Sequence, residues 1–196
     1  MGAYSPAPIV SDLIYQKAMN QIILPSIAAL KQNGTPFVGF LYAGLMITPD
    51  YEVKTLEFNC RLGDPETQPI LMRLKSDFAD LITAALKGKL NECTVQWDER
   101  AALGVVLAAK NYPFTPQKGD VITGIPQNNA FAQDVHVFHA GTKKQNNQIL
   151  TDGGRVLCVV ALGENIQQAQ QKAYDFVPQI NWPGMQYRKD IGNKAI

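Results

Sequence analysis

The stretch Thr55-Leu56-Glu57-Phe58-Asn59-Cys60-Arg61-Leu62-Gly63-Asp64-Pro65-Glu66 constrains this chain more than any other. Leu56, Phe58, Cys60 and Leu62 alternate strictly with Thr55, Glu57, Asn59 and Arg61. A period of two predicts a half-buried strand, its apolar row on a core and its polar row facing water. At about 6.6 Å per two residues, Glu57, Asn59 and Arg61 then form a short ladder on one face. A carboxylate and an amide oxygen at that pitch can share one hard cation, and a guanidinium one step on can hold an anion beside it. Gly63-Asp64-Pro65 breaks the strand and sets Asp64 and Glu66 just past its end. The bland alternative is a solvated sheet edge, which is what such a polar row most often is. Convergence of several chemically able groups on a strand end favours a Mg²⁺–phosphate site, because loops at strand ends carry function.

Further along the chain the octapeptide Arg61-Leu62-Gly63-Asp64-Pro65-Glu66-Thr67-Gln68 resembles the signature of the glycinamide ribonucleotide synthetase (phosphoribosylamine–glycine ligase) family, within the ATP-grasp superfamily. The segments 1–6, 39–46, 138–143, 153–158 and 188–192 are similar to that family in the same order, so the resemblance covers essentially the whole chain. Members of the family are about twice as long. This chain resembles their later half, without the N-terminal domain, the lid that grips adenine or the lysine-bearing strands that hold ATP phosphates. The expectation is a C-terminal portion of the enzyme, inactive alone, from a natural fragment or a truncated reading frame, with an apolar face left uncovered.

The resemblance implies an α+β chain. Residues 1–98 are expected to be the C-terminal part of an ATP-grasp domain, an antiparallel sheet with helices, and 99–196 a small antiparallel sheet-and-helix C-terminal domain. It implies a ligase that joins glycine to phosphoribosylamine through an acyl phosphate, giving glycinamide ribonucleotide, ADP and phosphate in purine biosynthesis. In the family pattern Glu57 and Asn59 match ligands of Mg²⁺ (or Mn²⁺), with ATP as co-substrate. Arg61 matches the arginine that stabilises developing negative charge. Gly63 and Asp64 lie at the glycine end, and the Gly2–Ser5 loop, with Tyr4 and Ser5, meets the phosphoribosylamine side. One departure stands out. Several ATP-grasp enzymes carry another acidic ligand on the preceding strand, where this chain has Ala43-Gly44-Leu45-Met46. A second ion, where one binds, must then use both oxygens of Glu57, or the phosphates. Two alternatives stay open: an ATP-grasp ligase for another carboxylate and amine, and a non-catalytic module.

Composition narrows the rest. A formal charge of +1 over 196 residues, with no basic stripe, gives no electrostatic case for nucleic acid. No apolar run approaches the ~18 residues of a membrane span, and no basic segment leads an apolar one, so a cytoplasmic protein is expected. Three scattered cysteines make neither a disulfide framework nor a zinc site; Cys60 and Cys158 read as small core residues. His136 and His139, three apart on a strand, face opposite ways and do not share a metal. His139 either meets a ligand where the strand ends at Gly141 or, as is more common, is a half-buried histidine bonded to backbone. Ser5 lacks a nucleophile-elbow setting, and Gly153-Gly154 precedes a strand, which disqualifies it as a dinucleotide loop.

In coarser terms, 2–8 reads as a loop, and Ser11 caps a helix running to about Lys31 that Pro25 either kinks or divides into two. Strands follow over 37–47 and 53–61, joined by Thr48-Pro49-Asp50 into a hairpin. A long helix runs from Glu66 or Thr67 to Gly88. Its first turn beside Asp64 suits either an anionic ligand or plain compensation of the helix's positive end by the two acids. Trp97 is expected to pack near a domain boundary. Strands over 102–109, 119–124, 134–140 and 154–161, turns that include Gln127-Asn128-Asn129, a helix over 164–177 ended by Pro178 and a last strand near 185–188 complete the reading.

Overall fold

The computed structural model describes residues 1–126 and 134–196, and the turn expected at Gln127-Asn128-Asn129 lies outside them. The chain divides into two compact units. One holds Met1–Pro6, Asp64–Leu74 and Trp97–Ile196; the other holds Ala7–Gly63 and Lys75–Gln96.

In the first unit, strands β1 (Gly2–Ser5), β4 (Ala101–Ala108), β5 (Val135–His139) and β8 (Arg155–Gly163) form an antiparallel sheet in the order β1-β4-β8-β5. β4 is buried at every position because both sheet faces are covered, and its sequence is accordingly an unbroken apolar run. Leu103, Val105, Leu107, Val159 and Ala161 point to one side, into a core with Ile166, Ala169, Ala173 and Phe176 of helix α5 (Ile166–Phe176). Ala102, Val106, Cys158 and Val160 point to the other, where they meet Met72 of helix α3 (Thr67–Arg73). Each fully buried Leu or Val contributes roughly 1.5–3 kcal/mol relative to exposure. Asn165 caps α5 by accepting the Gln168 N–H at 2.9 Å, and a 3₁₀ turn over Val177–Gln179 carries Pro178 at its end.

Several expectations give way here. The 2–5 segment is an edge strand, since its main chain finds β4 as partner. Residues 119–124 make only isolated bridges, Val121 with Leu150 and Thr123 with Asn181, and Gln186 bridges Ala108 without a strand around it. A hairpin absent from the sequence reading, β6 (Thr142–Gln145) and β7 (Gln148–Thr151), turns at Asn146 and Asn147, with φ of 48° and 60°. Paired asparagines in the left-handed region are the signature of a tight hairpin turn. The single long helix after Pro65 is two. α3 stops because the Arg73 carbonyl accepts the Asp98 N–H at 2.6 Å and Leu74, extended, bridges Trp97, which is itself 46% exposed.

In the second unit, Asp77 starts helix α4 (Phe78–Leu86) by accepting the N–H groups of Ala79 and Asp80 at 2.8 and 3.1 Å. Helix α1 (Asp12–Ala18) begins at Ser11, whose hydroxyl caps Ile14 at 3.4 Å. A π turn over Met19–Ile23 runs directly into α2 (Leu24–Gln32), so the chain stays helical through Pro25 at the second position of α2. Strands β2 (Tyr42–Ile47) and β3 (Val53–Asn59) form the expected hairpin, and Lys17 ties α1 to its turn through Glu52 at 2.8 Å. Both strands are shorter than the pattern predicts. Residues 37–41 stay outside the ladder, with Val38 63% exposed and Phe40 stacked on Phe78 at 5.8 Å. The apolar row of β3 is not buried either: Val53 is, but Leu56 and Phe58 are 64% and 42% exposed, and Cys60 is exposed too. Alternation specifies a strand with an apolar face. It does not supply the layer that covers the face.

Candidate functional site

On β3, Glu57 and Asn59 share a face, as a period of two requires, and the Asn59 Nδ2 donates to Glu57 Oε1 at 3.1 Å. Glu57 is exposed and Asn59 partly so. The neighbouring strand makes room for them. Gly44 lies opposite Glu57, beside a register shift at Gly44/Leu45, and a Cβ there would sit 3.1 Å from Glu57 Cγ. The glycine where an acid was sought on the preceding strand therefore lets the Glu57 side chain lie over the hairpin. Arg61 is two residues past the end of β3, and its Nη1 donates to the Leu62 carbonyl at 3.0 Å. The polar row is thus a touching pair plus an arginine beyond the ladder. Gly63 is buried and ends the first segment of this unit. Two adjacent oxygen donors suit a hard cation that completes its shell from phosphate and water. Among the described residues no group of three or more His, Cys, Asp or Glu side chains converges.

The remaining residues singled out lie in the other unit. Asp64 Oδ2 is 3.2 Å from Arg155 Nη1, which also donates to the Asp64 carbonyl. Arg155 Nε donates to the Tyr112 hydroxyl at 3.2 Å. That bond first, and the charge of Asp64 after it, hold the Arg155 guanidinium above its ordinary value against the opposing effect of burial. Ser5 ends β1, and its hydroxyl accepts from Arg73 Nη1 at 2.9 Å, while Arg73 Nε donates to the carbonyls of Asp98 and Arg100 at 3.2 and 2.8 Å. Tyr4, opposite Leu103, packs partly against the α5-side core. Sequence reasoning missed Arg73, Tyr112 and Arg155. Arg155 belongs to the Gly153-Gly154-Arg155 segment, but its partner is 91 residues away, a pairing no local pattern encodes. His139 is exposed, and its ring bonds to the Thr142 hydroxyl at 3.0 Å rather than to backbone.

The same architecture occurs in solved structures. Over 97% of the chain it matches 46% of the phosphoribosylamine–glycine ligase of Thermotoga maritima, with a TM-score of 0.83 and 32% identity. A biotin carboxylase from Campylobacter jejuni matches at a TM-score of 0.66 and 14% identity over 97% of this chain and 41% of that one, a likeness of fold alone. The fold is that of the ATP-grasp proteins. Residues 1–67 match the family model described as phosphoribosylglycinamide synthetase, ATP-grasp (A) domain, and residues 102–194 match the C domain of the same synthetase. The chain is 57% identical to phosphoribosylamine–glycine ligase of Neisseria meningitidis and 55% identical to that of Yersinia pestis, covering 100% of itself and 46% of each relative. It belongs to the phosphoribosylglycinamide synthetase family, and it spans about half the length of the curated relatives it matches. No described helix is long and apolar enough to cross a membrane.

Proposed function

We propose that this chain is the C-terminal portion of a phosphoribosylamine–glycine ligase working in the cytoplasm. Residues 1–98 carry the metal-binding strand and 99–196 form the family's C-terminal domain. The parts of the relatives that it does not span supply the nucleotide lid and the lysines that hold ATP phosphates. The observation that carries the reading is the Glu57–Asn59 pair, a carboxylate and an amide joined by a hydrogen bond on one strand face, each with an oxygen a hard cation can take.

In this reading Glu57 and Asn59 hold Mg²⁺ or Mn²⁺. Bound there, such an ion would supply neutralisation of phosphate charge on ATP. Phosphoryl transfer calls for alignment and charge stabilisation more than covalent help from the protein. A glycine carboxylate oxygen attacks the terminal phosphorus of ATP, and ADP leaves. The amine of phosphoribosylamine then attacks the acyl carbon and loses a proton as phosphate departs, giving glycinamide ribonucleotide. Arg61 offers a guanidinium to the developing negative charge. Gly63 and Asp64 border the glycine, and Tyr4 and Ser5 meet phosphoribosylamine, with Arg73 orienting the Ser5 hydroxyl.

The test is ADP release with glycine and phosphoribosylamine by the full-length polypeptide carrying this sequence. Turnover is expected, and inactivity of the folded, intact protein sinks the reading. In the same assay Glu57→Gln is expected to lower turnover more than about a hundredfold without changing the melting curve, since it removes the one charged ligand. Activity within about tenfold of the parent overturns the metal role of Glu57.

A further inference from the structure

Asp64 is where the chain enters the sheet-bearing unit directly after Gly63, and it is gripped twice by one side chain. Arg155 Nη1 reaches both the carboxylate, at 3.2 Å, and the main-chain carbonyl of Asp64. Salt bridges at exposed sites contribute little, but this one is unlike a loose surface pair in three respects. The guanidinium is about one-third exposed, against 52% for the carboxylate, so its end is the ordered one. It is rooted at the first residue of β8, whose next eight positions are buried. And its Nε is braced by the Tyr112 hydroxyl.

The brace has its own support. Tyr112 follows Asn111, which is at φ 66°, and its ring lies against the main chain of Gly154, where a Cβ would come within 2.4 Å of the ring. Glycine before Arg155 is therefore what lets the phenol lie close enough for its oxygen to reach the guanidinium. Of the Asp64 carboxylate, Oδ2 is the oxygen held by Arg155.

We propose that Arg155, braced by Tyr112, is a positioning residue that holds the Asp64 bend so that the other carboxylate oxygen, Oδ1, is presented to the ammonium group of the amino acid being activated. The role rests on the ligase reading above. An arginine suits it because the planar guanidinium is fixed at two points, Nη1 on the carboxylate and carbonyl of Asp64 and Nε on the Tyr112 hydroxyl, an orientation a lysine ammonium cannot share. A residue acting this way governs amino-acid binding and alignment and leaves nucleotide binding alone.

Two measurements on the full-length polypeptide decide the matter, with Arg155→Met, Arg155→Lys and Tyr112→Phe. The last removes only an oxygen, so it is informative even if Arg155→Met folds poorly. By amide hydrogen exchange, Arg155→Met and Tyr112→Phe are expected to speed exchange at the Asp64, Glu66 and Thr67 amides about tenfold, with the β4–β8 ladder unchanged. In kinetics, kcat/KM for glycine is expected to fall about tenfold to a hundredfold in Arg155→Met and less in Arg155→Lys, with KM for ATP within about twofold of the parent. Unchanged exchange at the bend in both Arg155→Met and Tyr112→Phe, or equal losses for glycine and ATP, overturns the proposal. A folded parent without ligase activity sinks the function on which the ammonium role rests, and that role with it. An active parent whose variants keep the glycine constants of wild type leaves the ligase reading standing and removes Arg155 from it.

Discussion

Replacing Arg100 by methionine removes the centre of an ion-pair network and keeps most of the side chain's apolar stem. In the parent, Arg100 Nε and Nη2 donate to the two oxygens of Asp98 at 3.1 and 2.9 Å, and Nη1 donates to Asp134 at 2.6 Å. Lys172 of α5 holds the other oxygen of Asp134 at 2.6 Å. The network thus joins the start of β4, the residue before β5 and α5. Its two halves differ in worth. Asp98 is only 9% exposed, so losing its fork approaches the roughly 3–5 kcal/mol of a broken buried pair. Asp98 still accepts the Arg100 main-chain N–H at 3.0 Å, and Arg100 itself is 31% exposed, both of which reduce the loss. Asp134, about as exposed as Arg100, keeps Lys172, so its half adds no more than about 1 kcal/mol. The expected destabilisation is about 2–3 kcal/mol, or about 4–12 °C in Tm for a chain of this size. Urea melts followed by tryptophan fluorescence measure it, since both tryptophans, Trp97 and Trp182, lie in the unit that holds the network. Acid provides an internal control. Hydrogen bonds from Lys172 first and Arg100 second hold the Asp134 carboxyl below its ordinary value. Its contribution is therefore full above about pH 4 and lost as pH falls through the depressed value, so the gap between parent and variant narrows there. A loss under about 0.5 kcal/mol at pH 7 would refute this reasoning and class the network as screened surface charge.

Burial lowers the pKa of His136, which favours the neutral ring in the folded state. Stability is therefore present above the unfolded value of about 6.5 and is lost as pH falls through the folded one, and His136→Gln is expected to flatten that slope between about pH 5 and 7. Identical slopes in urea melts would contradict it. The thiols separate by exposure: iodoacetamide near pH 8 is expected to modify exposed Cys60 first, while Cys158, buried and with its thiol pushed up to about 12, reacts only on unfolding. Mass spectrometry of the alkylated peptides checks this, and early labelling of Cys158 would contradict the burial of β8.

Much of this molecule was written locally. The Ser11 cap, the Thr48-Pro49-Asp50 hairpin, the period of two through Val53–Asn59 and the apolar runs of β4 and β8 depend on neighbours within a few residues. So did the contact of Glu57 with Asn59, which follows from their sharing a strand face. Apart from the local hairpin turned at Asn146 and Asn147, what failed needed a distant partner. The 2–5 segment resembles a loop until β4 pairs with it, and the helix after Pro65 looks continuous until Asp98 and Trp97 take up its end. Leu56 and Phe58 announce a buried face that this chain leaves open. The partners of the candidate site, Arg155 to Asp64 and Arg73 to Ser5, span 91 and 68 residues. The order of residues determined strand periods, caps, turns and the oxygen pair on β3, because each is settled by short-range sterics and hydrogen bonding. Only tertiary structure decided which faces are covered and which cations hold Asp64 and Ser5, because those depend on where the sheet brings remote segments together.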